Sequence, residues 1–379
     1  MQSNYKRLGD YIQLVNIRDV NIQVDKLLGV SIQKKFIPSI ANIIGTDMST
    51  YKIIKKNQFA YGPVTSRNGD KISIALLEEY DEAIVSQAYT VFEIMDTTQL
   101  LPEYLMMWFR RPEFDRYARY KSHGSAREIF DWNEMCETLL PVPSPEKQRQ
   151  LVNEYHVLVD RINLNNRLIQ KLEETAQAVY KQWFVDFEFP DSNGKPYKNN
   201  GGEMVESEMG MIPKGWKIGT LEDLYKFQYG LGNRNPNNNG PYPIYGAGGV
   251  IGGYDKFNSE NAPVIGHMGE YCGAVVFAYG KHYVTYNGVM CLVKSESLKW
   301  FSYLSLLSKD LMSHTRGSSQ PFVSYDMLYE IKTTLPFEKI SLRFDSHVCK
   351  LYLGISLKIK ENQRLSNLKD LLLSKLATI

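Results

Sequence analysis

The sequence predicts an α/β protein, in detail α+β, arranged as a pseudo-twofold internal repeat in which two mixed blocks alternate with two long helices. Three observations predict it. Leu151, Tyr155, Leu158, Ile162, Asn165, Ile169, Leu172, Ala176, Val179 and Trp183 step alternately by four and three, the spacing that lines one seam of a long helix. Val348, Tyr352, Ile355, Ile359 and Asn362 repeat the first five, each 197 positions later (348 minus 151), with the polar Asn in the same place. The match also extends beyond the helices. Leu221-Glu-Asp-Leu stands 213 positions after Leu8-Gly-Asp-Tyr, whereas Gly317-Ser318, Ser324-Tyr-Asp and Pro336 stand 193 after Gly124-Ser125, Asp131-Trp-Asn and Pro143. The fall from 213 to 193 makes the second block 20 residues shorter inside, so the two blocks share their frames and not their interior sequences.

The first block, residues 1–145, opens with an expected short amphipathic helix from Tyr5 to Val15. β-prone runs broken by turn residues follow: Val30-Ser-Ile-Gln, Ile53-Ile, Gln58-Phe-Ala-Tyr, Ile72-Ser-Ile-Ala and Ala88-Tyr-Thr-Val-Phe. Leu101 to Tyr120 is expected to be helical, with Pro102 in its first turn. The first long helix occupies 146–187 and ends in an aromatic cluster, Trp183-Phe184 with Phe187 and Phe189, which either packs on a block or receives a partner helix. Pro190, Asn193-Gly194, Pro196 and Asn199-Asn-Gly-Gly make 188–211 a linker. The second block covers 212–337, and the second long helix 338–379. Asn165 and Asn362 cost the seam stability and fix its register.

Composition bounds the class. The 379 residues suit two or three domains, and 43% hydrophobic with 23% charged residues describe a core-forming chain. No apolar run approaches the roughly 18 residues that span a membrane, and the opening lacks a signal-peptide core. Cys136, Cys272, Cys291 and Cys349 are scattered without a Cys-x-x-Cys pair, as expected of cytoplasmic thiols. A net charge of +2 points to no global field, so any nucleic-acid contact rests on local clusters. Enzyme signatures are missing. No Gly-x-x-x-x-Gly-Lys-Ser/Thr loop occurs. Tyr229-Gly-Leu-Gly and Asn239-Gly-Pro-Tyr stand too close together for a nucleotide-binding unit of roughly 30 residues to lie between them. The six histidines never form a two-His metal spacing, and no metal site is expected.

The architecture resembles the specificity (S) subunits of type I restriction-modification systems, over essentially the whole chain. The phrases that carry the resemblance are Leu105-Met-Met-Trp-Phe-Arg, Pro143-Ser-Pro-Glu-Lys-Gln, Lys181-Gln-Trp-Phe-Val-Asp-Phe-Glu-Phe-Pro, Ile212-Pro-Lys-Gly-Trp, Tyr242-Pro-Ile-Tyr-Gly-Ala-Gly-Gly, Val264-Ile-Gly-His-Met-Gly and Gly317-Ser-Ser-Gln-Pro. The resemblance implies that the blocks are target-recognition domains, each reading one half of a bipartite, asymmetric site in double-stranded DNA. It implies helices paired as an antiparallel coiled coil that docks two methyltransferase (modification) subunits and restriction (motor-nuclease) subunits. It implies a chain without catalysis or cofactor of its own, S-adenosylmethionine, ATP and Mg2+ belonging to the partners. The other reading is a stand-alone nucleic-acid-binding or coiled-coil adaptor.

Candidate DNA contacts follow from side-chain chemistry. Lys34, Lys35 and Lys71 offer phosphate donors, and the loop Thr65, Ser66, Arg67, Asn68 holds base-reading residue types. Each block ends in a small polar loop with one long donor. These are Ser125 with Arg127 and Ser318 with Gln320, where Arg suits guanine and Gln suits adenine. Tyr245, His267 and Arg316 complete the set.

Overall fold

A computed structural model describes residues 4–20, 24–39, 47–66, 68–69, 71–124, 128–232, 235–317 and 321–378. Two compact units divide the chain, one of residues 1–164 with 361–379 and one of 165–360. Each long helix, Pro145–Tyr180 and Glu338–Lys375, contributes to both units.

In the first unit, Ile12–Val15, Thr90–Ile94, Phe59–Tyr61 and Ile74–Leu76 form one antiparallel sheet in that spatial order. A second sheet runs Phe36–Pro38, Leu27–Val30, Glu82–Val85, Lys52–Lys55, with only its middle pair parallel. Between the sheets and the helices lies an aromatic core in which Phe59 stacks on Phe92 at 4.9 Å and meets Phe109 edge-on at 5.8 Å. Leu151 and Tyr155 of the first long helix and Leu373 and Leu376 at the end of the chain close this core. Arg161 bonds Glu361 at 2.6 Å, so the two helical segments in this unit run antiparallel.

The second unit has a six-stranded sheet ordered Tyr225–Tyr229, Gly288–Val293, Ser259–Gly266, Val275–Val284, Tyr242–Gly246, Gly249–Tyr254. Its core takes Ala176, Tyr180, Trp183 and Phe184 from one helix and Phe344, Val348, Tyr352 and Ile355 from the other, again antiparallel. The aromatic cluster at the end of the first helix therefore packs on a block. Phe184 lies 4.8 Å from Phe301 and 4.9 Å from Phe344. The helix widens there into a π-type turn, Lys181–Val185, where the Asp186 amide donates to the Lys181 carbonyl. The segment 188–211 is structured. Tyr197 stacks on Phe189 at 4.6 Å, Phe189 on Trp216 at 5.3 Å, and Met204–Ser207 pairs with Gly210–Pro213 as a hairpin.

The interiors of the blocks repeat where their sequences do not. Tyr5 faces Pro141 across an antiparallel pair, and Ile218 faces Thr334, offsets of 213 and 193. Ile12–Val15 beside Thr90–Ile94 corresponds to Tyr225–Tyr229 beside Gly288–Val293. The one parallel pairing recurs as well, Leu27 with Ile84 and Ile244 with Tyr283. What differs is continuity. The first block divides between two sheets what the second joins through the long strands Ser259–Gly266 and Val275–Val284.

Two expectations from the sequence need correction. Tyr5 to Val15 is not a helix. Tyr5–Arg7 and Ile12–Val15 are strands around the turn Leu8–Asp10, because their backbone groups pair with Leu139–Pro141 and Thr90–Ile94. Leu101 to Tyr120 is two helices, Pro102–Phe109 and Pro112–Tyr120. Pro112 excludes helical geometry at the residue before it, and Arg111 sits at φ −71°, ψ 138°.

In the second unit, Asp345 of the second long helix caps the helix Lys299–Leu307, its carboxylate accepting the Trp300 and Phe301 amides at 2.9 and 2.8 Å. Burial pushes its pKa up to about 6, against the opposing pull of those two amides. A carboxyl whose folded pKa lies above its unfolded value of about 3.9 loses stability as pH rises through that window. Asp345→Asn cannot titrate. Urea midpoints measured from pH 4 to pH 7 should therefore shift in the variant's favour relative to the parent as pH rises.

Candidate nucleic-acid interface

The two blocks build the same tip from unlike residues. In the first, His123 and Ile129 exchange backbone hydrogen bonds of 3.1 and 2.9 Å, the base of a hairpin. A second loop pins it, with the Phe130 amide donating to the Pro63 carbonyl (2.8 Å) and the Thr65 amide to the Glu128 carbonyl (3.0 Å). In the second block Arg316 and Phe322 exchange bonds of 3.0 and 2.8 Å. There the Val323 amide donates to the His267 carbonyl (3.0 Å) and the Gly269 amide to the Pro321 carbonyl (2.9 Å). Every hairpin position is offset by 193 (316 minus 123) and every pinning position by 204 (267 minus 63). The residue before each pin is a glycine, more strictly required in the second block. A Cβ on Gly266 would come within 2.1 Å of the Tyr271 main-chain carbonyl, whereas one on Gly62 would meet the Ser73 hydroxyl at 2.7 Å.

The sequence-predicted Ser125, Arg127, Ser318 and Gln320, which fall in sequence between the residues so bonded, lie with Arg67 outside the described residues. Around the first tip, Ser66, Lys71 and Lys35 are exposed. Asn68 Nδ2 donates to the Val64 carbonyl at 3.2 Å. Thr65 is buried and donates to the Ser122 hydroxyl at 2.8 Å, so it braces the loop. Lys34 faces inward. Its ammonium lies 2.8 Å from Asp115, donates to the Phe109 carbonyl and is only 6% exposed, and burial pushes its pKa down. Lys34 belongs to the core and does not face DNA-accessible solvent.

Around the second tip, Arg316 is exposed. His267 is buried, and its Nδ1 lies 2.7 Å from the Val323 carbonyl. A carbonyl only accepts, so Nδ1 carries the proton. The imidazole forms a triangle of rings with Tyr229 at 4.5 Å and Tyr286 at 5.5 Å, those two being 5.9 Å apart, and Tyr325 lies 4.7 Å from Tyr229. Tyr245 packs against His282 at 5.3 Å in a small core cluster, a structural place. The sequence reading missed the exposed apolar groups beside the tips: Tyr120, 81% exposed, in the first block, and Tyr271, Tyr286, Met312 and Phe322 in the second. Position 322 was within reach, because it stands 193 after Ile129, which is also exposed.

Two such tips stand on one duplicated topology, and the chain is similar to proteins of one class. The fold resembles the crystal structure of the type I restriction-modification system S subunit from M. genitalium, with a TM-score of 0.55 over 98% of this chain and 95% of that one. At 15% identity, the likeness is one of fold. Residues 213–340 match the family model described as type I restriction modification DNA specificity domain. Two curated relatives are similar in sequence. The type I restriction enzyme HindI specificity subunit of Haemophilus influenzae is 27% identical over 188 residues, 49% of this chain and 39% of that protein. The type I restriction enzyme MjaIX specificity subunit of Methanocaldococcus jannaschii is 29% identical over 131 residues, 35% of this chain and 29% of that protein. The matched stretch thus spans well under half the length of either relative. Family model and relatives carry one description, that of type I restriction-modification specificity, and the fold is similar to that of one such subunit. The family match covers the second block.

Thr65→Val removes the bond to Ser122 while keeping the side chain's shape. Ser122 still donates to the Ala118 carbonyl at 2.7 Å, so what is lost is the Thr65 hydroxyl's one proton, shared between Ser122 at 2.8 Å and the Glu128 carbonyl at 3.3 Å. The expected cost is about 1 kcal/mol, read as a lowered urea midpoint.

Proposed function

We propose that this chain is the non-catalytic, DNA-reading subunit of a type I restriction-modification complex in the cytoplasm. Each block reads one half of a bipartite site in double-stranded DNA. The paired helices receive two methyltransferase subunits and, through them, restriction subunits. S-adenosylmethionine, ATP and Mg2+ act on those partners. The observation that carries the reading is the repeated backbone frame of the tips, which holds unlike side chains in like places. Equal frames give two half-site readers, and unequal side chains give two different half-sites.

The tips divide the labour. Lys35 and Lys71 contact phosphates, while Ser66, Asn68 and the residues around Arg127 meet base edges. In the second block Arg316 suits guanine, Gln320 suits adenine, and Tyr286, Met312 and Phe322 give apolar contact to thymine methyls. Among the described residues no helix is long and apolar enough to cross a membrane.

Exchange of residues 5–143 for the equivalent block of a relative tests the proposal. Methylation-aware sequencing of the host genome should show one half of the modified motif changed and the other retained. A change in both halves would reject separate readers.

Lys71→Ala and Arg316→Ala should weaken DNA in different ways, measured by fluorescence anisotropy on the assembled methyltransferase complex. Loss of a phosphate contact at Lys71 should lower affinity for all sequences alike and reduce the salt slope by about one. Loss of a base contact at Arg316 should relax specificity at one position, by about 1–3 kcal/mol.

A further inference from the structure

Away from the tips, the first unit contains a cavity of about 610 Å³ whose wall includes Trp108, Arg111, Phe114, Tyr117 and Leu139. The volume is that of a small-molecule site. Arg111 is the unusual member. Its side chain is 7% exposed, its guanidinium lies 4.1 Å from the Trp108 ring, and its Nη2 stands 3.6 Å from Glu113, too far for a hydrogen bond. Its Nε is buried without a hydrogen-bond partner among the described residues and is closed to solvent, so the Nη edge is the part of the guanidinium that can meet a molecule in the cavity. Other charges on the wall are already engaged. Glu137 is held by Arg7 at 2.6 Å, Lys121 by Glu134 at 3.2 Å, and Glu113 by Arg116 at 3.2 Å. A buried donor left unmade is costly, and buried polar groups in folded proteins nearly always have an acceptor.

We propose that this cavity binds a small organic carboxylate, its apolar body among Trp108, Phe114 and Tyr117 and its carboxylate on the Arg111 fork. Guanidinium and carboxylate match as two planar, parallel donor–acceptor pairs. With Glu113, Glu137 and Lys121 each paired to a neighbour, Arg111 is left as a single positive charge, which favours a monoanion over a phosphate dianion. The aromatic surfaces favour an acid with a ring or branched body. The site is independent of the DNA-reading assignment, and its test reads no DNA.

The probes are 3-phenylpropionate and its neutral amide, titrated calorimetrically into the full-length chain. The acid should bind at least tenfold tighter than the amide. Arg111→Gln should erase that preference. Leu139→Trp, at a lip residue 57% exposed, should block both probes with the circular dichroism unchanged. This second variant keeps the test decisive if Arg111→Gln fails to fold. A peptide ending in phenylalanine, with a free or an amidated carboxyl, separates a protein C-terminus from a free metabolite as the source. Equal binding of acid and amide, no binding of either at millimolar concentration, or full binding to Leu139→Trp would overturn the proposal.

Discussion

Neither block of this protein closes its own core. The first needs Leu151 and Tyr155 from one long helix and Leu373 and Leu376 from beyond the other block in sequence. The second needs Tyr180 and Trp183 from the first helix and Phe344, Val348 and Tyr352 from the second. This sharing of helix side chains is the constraint on which the rest depends. A seam residue must satisfy its partner helix and a sheet at once, so the helices cannot change their apolar pattern without opening a core. Ties of other kinds reinforce it. The Tyr5 hydroxyl donates to the Ala377 carbonyl at 2.9 Å, and Asp345 caps a helix of the second block.

The tips are released from that constraint. Their frame is made of backbone amides, which every residue but proline supplies, and of carbonyls, which every residue supplies, Pro63 and Pro321 among them. Side chains there can differ completely while the hairpin and its pinning loop keep one geometry. Thr65 and Gly269 show it, the first bracing its loop through a hydroxyl and the second having none, and both donating the same amide bond. A scaffold fixed by backbone and a surface left to side chains is what variable recognition requires.

Much of the fold was legible in the sequence. The long helices were marked by the four–three spacing, and the frame by recurring phrases. The shared interior topology was not, because it is a pattern of main-chain pairing carried by unrelated sequences. The end of the helix Pro102–Phe109 was legible from Pro112 and was overridden by an otherwise continuous apolar pattern. Lys34 misled because a lysine beside a second lysine reads as a solvated pair. Its burial against Asp115 depends on a residue 81 positions away (115 minus 34). His267 and Tyr245 were found by motif, but which of them stands beside a tip depends on strand register.

The late position of Leu373 and Leu376 bears on how the chain leaves the ribosome. Translation delivers the first block's sheets long before the residues that cap their core, because the whole second unit is synthesised in between. Until then the apolar faces around Leu151 and Tyr155 stay uncovered, the condition under which nascent chains aggregate or bind chaperones. The second unit meets no such delay, since its helix residues flank its block directly. Vectorial synthesis therefore inverts the order of maturation: the block made first is the last to finish folding.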